Sequence, residues 1–144
     1  MSEAPLNLHA GCILLGEAGI LIRGPSGSGK STLARRLVAE RRAKGGFAAL
    51  VADDRVLVAR RGGRLVGRPH PAIAGLIEQR GFGLLRVPYE EAAVLRLVVD
   101  LAEAPRLPQD DEMSCLLLGV KVPRIAGPAT QVEALIETAI SWPR

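Results

Sequence analysis

The sequence predicts an α/β domain built on a mixed sheet, and three observations carry that expectation. A glycine-rich octapeptide, Gly24-Pro25-Ser26-Gly27-Ser28-Gly29-Lys30-Ser31, stands between an apolar run and a stretch of helical periodicity. Short apolar runs alternate with helical patterns through the rest of the 144 residues. Turn signals join several of those runs as hairpins, more of them than the usual doubly wound design carries.

In chain order, Leu8 to Leu15 and Ala18 to Arg23 read as two strands joined at Gly16-Glu17. Lys30 to Arg42 reads as a helix, stopped by Lys44-Gly45-Gly46. Phe47 to Ala52 is a continuous apolar run, the pattern of a buried central strand. Val56 to Ala59 and Arg64 to Val66 form a hairpin about Arg61-Gly62-Gly63. Pro71 to Gln79 is expected to be a short helix begun by its proline. Leu84 to Val87, Val94 to Leu101, Cys115 to Val120 and Val122 to Ile125 read as strands. Thr130 to Ser141 reads as a closing helix with Val132, Leu135, Ile136 and Ile140 on one face. The polar, proline-containing stretch from Pro105 to Glu112 is expected to be a site loop.

Length and composition point to one globular domain spanning residues 1–144, with 48% of residues apolar and only 3% aromatic. Leu, Val, Ile and Ala must therefore fill the core. No run is long and apolar enough for a membrane span, and Met1 to Pro5 lacks a signal-peptide pattern. Cys12 and Cys115 lie in apolar runs without metal-ligand spacing and read as buried thiols, so a cytoplasmic location is expected. The formal charge is +4, with arginines concentrated between residues 35 and 68. For most of these a solvated basic face is the simplest reading. The chain shows neither a recognition-helix pattern nor an aromatic stacking platform, which argues against nucleic acid.

The octapeptide satisfies G-x-x-x-x-G-K-[ST] in a strand–loop–helix context, the requirement for a phosphate-binding loop. Its glycines let backbone N–H groups converge on phosphate oxygens at the positive end of the helix. Lys30 would reach the β- and γ-phosphates and the Ser31 hydroxyl would hold Mg²⁺. The expected ligand is a nucleoside triphosphate. A second signal follows Ala48–Ala52, where the apolar run ends in Asp53-Asp54. Carboxylates at a strand end beside such a loop can serve the metal and the attacking nucleophile, although an Asx turn would also place aspartate there. The two cannot point the same way, so one is expected to face the reaction while its neighbour fixes the loop.

His9-Ala10-Gly11-Cys12, the octapeptide, Val51-Ala52-Asp53-Asp54-Arg55-Val56 and Leu76-Ile77-Glu78-Gln79-Arg80-Gly81-Phe82-Gly83 occur in one order. Together they resemble the catalytic domain of bacterial HPr kinase/phosphorylase. Arg106-Leu107 and Val122-Pro123-Arg124-Ile125 resemble that family's later loops. The resemblance implies a P-loop kinase domain with a mixed sheet and extra hairpin strands, similar to phosphoenolpyruvate carboxykinase. It implies an ATP- and Mg²⁺-dependent serine kinase of HPr or an HPr-like phosphocarrier protein, acting in the regulation of carbon metabolism. The family also runs a reverse, phosphate-driven phosphorylase reaction and forms a homo-oligomer, a hexamer.

Carried to this chain, the resemblance gives residues 24–31 to ATP and Ser31 with Glu78 to Mg²⁺. It makes Asp54 the base that takes the serine proton, with His9, Lys30 and Arg106 at the remaining active-site positions. Residues alone say less: His9 reads as a packed or exposed histidine, Glu78 as a solvated helix residue and Arg106 as a loop cation. His70, between two prolines, matches nothing and stays structural. The family's N-terminal domain and second C-terminal helix find no counterpart in the sequence, so a short form is expected. The segment before the aspartates is longer, and the Gly-Arg-Asn step after Pro128 is absent.

Two rival functions remain open. A small-molecule or nucleotide kinase would share the loop but usually needs an arginine-rich lid. A non-catalytic nucleotide-binding module would share it too. A guanine-reading Asn-Lys-x-Asp is excluded, because Asn7 is the only asparagine.

Overall fold

The computed structural model describes residues 4–102 and 113–141. Its strands are β1 (Leu6–His9), β2 (Gly11–Leu15), β3 (Ala18–Arg23), β4 (Ala48–Ala52), β5 (Arg55–Arg61), β6 (Arg64–Pro69), β7 (Leu76–Gln79), β8 (Gly83–Arg86), β9 (Ala93–Leu101), β10 (Ser114–Leu117) and β11 (Val120–Gly127). The helices are α1 (Lys30–Ala43) and α2 (Ala129–Ser141), with a single 3₁₀ turn at Pro71–Ile73.

The strands order as β1-β5-β6-β9-β3-β2-β4, with β11 also beside β9 and β7–β8 standing apart as a two-stranded ribbon. β6 meets β9 only through Val66 and Gly67, so β1, β5 and β6 form a layer of their own. The alternation of side chains along each strand explains the packing. Cys12, Leu14, Leu21 and Val98 join Val56, Val58 and Leu65 in one buried cluster. Their neighbours Ile13, Leu15, Ile20, Ile22, Leu97 and Val99 meet Leu33, Leu37, Val132 and Ile136 of the helices. The central strands are thus covered on both faces, which is why they read as unbroken apolar runs rather than alternating ones.

Strand direction places the functional end. β3 runs parallel to β9, and β9 parallel to β11. β2 is antiparallel to both β3 and β4, so β4 runs with β3. The C-terminal ends of β3, β4, β9 and β11 therefore lie along one edge, with the start of β2 between the first two.

Several expectations change. The expected strand Leu8–Leu15 breaks at Ala10, whose N–H turns to the Asp54 carbonyl at 3.0 Å. β4 is an edge strand, not a central one. It is buried because α1 covers one face and the β5–β6 layer the other, and burial reports covered faces rather than position in the hydrogen-bond order. Pro71–Gln79 is not a helix but a 3₁₀ turn followed by β7. Pro71 sets only the first turn, capped by His70, whose Nδ1 accepts from the Ala72 N–H at 3.1 Å. Gly75 then takes φ +76 beneath the Tyr89 ring and turns the chain out of register with any helix. The run Cys115–Val120 is broken by the Leu118-Gly119 turn into β10 and β11.

Leu135 is exposed, off the buried Val132–Ile136 stripe. Cys115 is only half-buried and sits 3.6 Å from Arg23 Nη2. Burial pushes the Cys12 thiol up to about 12, as expected of an inert core cysteine. Among the described residues no helix is long and apolar enough to cross a membrane. The expected loop Pro105–Glu112 lies outside the described residues.

Candidate active site

The octapeptide leaves β3 and enters α1 at the C-terminal edge of the parallel strands. Gly27 and Gly29 hold φ +81 and +94, and a Cβ built on either would meet nothing within 4 Å. Glycine is needed there for its backbone conformation, and the space beside it stays open. Gly29 caps α1 without a side-chain partner, and the first turn carries no acid. The leading N–H groups of the helix thus point into the opening with its positive dipole end. The Ser28 hydroxyl is buried without a hydrogen-bond partner among the described residues. Lys30 is 8% exposed and its Nζ donates to the Gly24 carbonyl at 2.7 Å and the Pro25 carbonyl at 3.4 Å. Among the described residues, helix-start N–H groups without a side-chain cap, an unpartnered hydroxyl and an ammonium held by carbonyls make a donor set that suits an anionic oxygen cluster.

The acidic pair divides as two adjacent residues must. Asp53 turns toward α1, where its Oδ1 accepts from the Ser31 hydroxyl at 2.9 Å. Asp54 turns the other way and its Oδ1 lies 2.7 Å from His9 Nε2. His9 reaches it because β1 pairs antiparallel with β5, which sets His9 opposite Arg55. Both partners are about half-exposed, so the pair is open to an incoming substrate. The two side chains do point apart, as expected of adjacent residues at a strand end. Spacing did not reveal that the first aspartate would bond the Ser31 hydroxyl.

The opposite wall is the β7–β8 ribbon. Glu78 projects from β7 as an exposed strand residue, not a helix residue, and joins Lys30, Ser31, Asp53, Asp54 and His9 around one cleft of about 600 Å³. The Ser31 hydroxyl, Asp53 and Glu78 offer hard oxygen ligands for a divalent cation. Among the described residues no three His, Cys, Asp or Glu side chains cluster closely enough to hold a metal unaided. Few carboxylates and room for phosphate oxygens suit Mg²⁺, which keeps water and phosphate in its shell. Arg106 lies outside the described residues.

Sequence reasoning missed two features. Arg35, read as part of a solvated basic face, lies in the cleft with its Nη1 donating to Gln79 Oε1 at 2.7 Å. Its place one turn beyond Ser31 on the same helical face was the available signal. Below the loop, Asp100 at the end of β9 accepts from Arg23 Nε and Nη2 at 2.7 and 2.8 Å and also from Arg124. Partial burial pushes the Asp100 carboxyl up, but the two guanidinium groups outweigh it and hold it below the usual carboxylate range. Arg23 directly precedes Gly24, so this cluster anchors the base of the loop to β9 and β11.

The model of the HPr serine kinase C-terminal domain matches residues 3–142. An HPr kinase/phosphorylase of Cupriavidus metallidurans is 38% identical over 97% of the chain and 46% of the relative. One from Mycoplasma mycoides subsp. mycoides is 30% identical over 92% of the chain and 46% of the relative. The chain thus spans less than half the length of these curated relatives. The solved structure of the Hpr(Ser) kinase/phosphatase from Coxiella burnetii superposes with a TM-score of 0.76 at 26% identity, covering 94% of each chain.

Proposed function

Since the chain belongs to the HPr serine kinase C-terminal domain family, we propose that it transfers the γ-phosphate of ATP to a serine of HPr or an HPr-like phosphocarrier protein. The observation that carries this reading is the pairing of Asp54 with His9 in the same cleft as Lys30 and Ser31. A nucleotide-binding module needs the loop alone. An exposed carboxylate oriented by a histidine beside it equips the site to accept a hydroxyl proton.

The steps follow from the residues. Lys30 exchanges its carbonyl partners for phosphate oxygens, with the N–H groups of the loop lining the same side. The Ser31 hydroxyl, Asp53 and Glu78 would hold Mg²⁺, which would supply positive charge against the phosphates. His9, with hydrogen on Nε2, fixes one oxygen of Asp54 and leaves the other free to take the serine proton. In the phosphate-driven reaction inorganic phosphate in the loop would attack the phosphoserine phosphorus to form pyrophosphate, while Asp54 passes a proton from the attacking phosphate to the departing serine oxygen.

The test is incubation with ATP, Mg²⁺ and purified HPr-type phosphocarriers, scored for phosphoserine by mass spectrometry, with nucleotides and sugars as rival acceptors. Phosphoserine on the carrier is the expected result. Transfer to a nucleotide or sugar instead would replace this reading with a small-molecule kinase. A pyrophosphate assay on the phosphorylated carrier decides whether the reverse reaction also runs.

A further inference from the structure

Among the described residues the β7–β8 ribbon pairs with no strand of the main sheet, yet it carries Glu78 into the cleft. At its base, the Val87 N–H donates to the Gly75 carbonyl at 2.8 Å and the Tyr89 ring packs over Gly75. Ile77 is its one well-buried side chain. A further tie comes from α1: Arg35 Nη1 donates to Gln79 Oε1 at 2.7 Å, and Arg35 Nη2 to the Glu78 carbonyl at 3.3 Å. One planar guanidinium thus grips Glu78 by its backbone and the next residue by its side chain. Arg35 is four residues beyond Ser31, so the helix that presents the Ser31 hydroxyl also holds the strand that presents Glu78. The shorter bond, to Gln79, joins two half-buried side chains and is partly shielded from water, whereas the one to the Glu78 carbonyl is exposed.

We infer that Arg35 is a positioning residue for the metal site: it latches the β7–β8 ribbon to α1, keeps the Glu78 carboxylate in the cleft, and so sets the affinity for Mg²⁺ without touching the metal. The inference rests on Glu78 being a Mg²⁺ ligand, as proposed above. Residues that orient metal ligands typically change affinity by about 10-fold or more when removed.

The experiment measures binding of a fluorescent ATP analogue to the full chain, first in EDTA and then across a Mg²⁺ titration, for R35A, Q79A, E78Q and R35A/E78Q. Hydrogen exchange at the amides of residues 76–86 is followed without nucleotide or metal. R35A and Q79A should each raise the half-saturating Mg²⁺ concentration, R35A by about 10-fold, with affinity in EDTA unchanged. R35A should add nothing to E78Q, and its ribbon amides should exchange faster.

An equal loss of affinity in EDTA would make Arg35 a direct phosphate ligand and overturn the latch. So would a Mg²⁺ shift of undiminished size in the E78Q background, a shift in R35A with none in Q79A, or unchanged ribbon exchange. If E78Q itself overlays the wild-type Mg²⁺ curve, the metal role of Glu78 fails, and with it the effect assigned to Arg35 on Mg²⁺. The exchange data then decide whether the latch exists on its own.

Discussion

The two walls of the cleft are built on different principles. One is the C-terminal edge of parallel strands, where Ile20, Ile22 and Val51 are fully buried and hold the loop, Asp53 and Asp54 in fixed relation. The other is a two-stranded ribbon that leaves Phe82 75% and Leu84 68% exposed and is tied down by a few contacts. A wall buried on both faces can move only by opening the core, whereas the ribbon opens locally at far lower cost. On the proposed function, phosphate positioning would belong to the rigid wall, and the contribution of Glu78 would depend on the less firmly held ribbon.

The contrast can be broken first at the rigid wall. Lys30→Ala should cut phosphoryl transfer by about 100-fold or more while the thermal unfolding temperature stays near wild type, because among the described residues the lysine donates only to two loop carbonyls. Transfer near the wild-type rate would remove the loop from the mechanism. Asp54→Asn should slow transfer by about 100-fold with nucleotide affinity retained, since an amide cannot take the serine proton. Asp53→Asn should act on the Mg²⁺ dependence instead. If the two phenotypes are exchanged, the roles within the pair are exchanged as well.

The anchor beneath the loop gives a stability prediction. Asp100→Asn removes the carboxylate shared by Arg23 and Arg124 and should cost about 2 kcal/mol in urea unfolding. Because the folded-state pKa of Asp100 is lowered, its contribution is complete above the ordinary carboxylate range and is lost as pH falls through the folded value. Wild type should therefore lose more stability than Asp100→Asn on acidification, and parallel pH profiles would contradict the assignment.

Changes on the ribbon should be milder. Glu78→Gln should raise the Mg²⁺ requirement by about 10-fold and leave metal-free nucleotide binding alone. Phe82→Ser at the ribbon tip should change stability by no more than about 0.5 kcal/mol, as for a side chain that is 75% exposed. A loss of several kcal/mol there would show that the ribbon is as firmly built as the sheet.

Legibility in the sequence followed the same division. The loop, the aspartate pair and the strands beneath them were readable because each is local: a fixed octapeptide, an apolar run, two acids in tandem. β8 was legible as a strand, but β7 was misread as part of a helix because Pro71 begins a turn that Gly75 then diverts, and the strand's four residues carry no distinguishing period. β4 was misplaced to the centre because two covered faces give an apolar run wherever a strand lies in the order. Arg35 and Asp100 passed unnoticed because their partners, Gln79 for one and Arg23 and Arg124 for the other, are 44, 77 and 24 residues away.

The chain's order of residues thus determined by itself that a strand, a glycine-rich turn and a helix would follow one another, with Lys30 and Ser31 at the start of the helix. Backbone φ angles and hydrogen-bond donors over eight consecutive residues suffice for that. Tertiary structure alone decided that Asp53 would meet Ser31, that Asp54 would meet His9 and that Arg35 would hold the strand of Glu78. Those pairings arise from strand direction and register between segments distant in sequence, which burial of the two apolar clusters selects and no local pattern encodes.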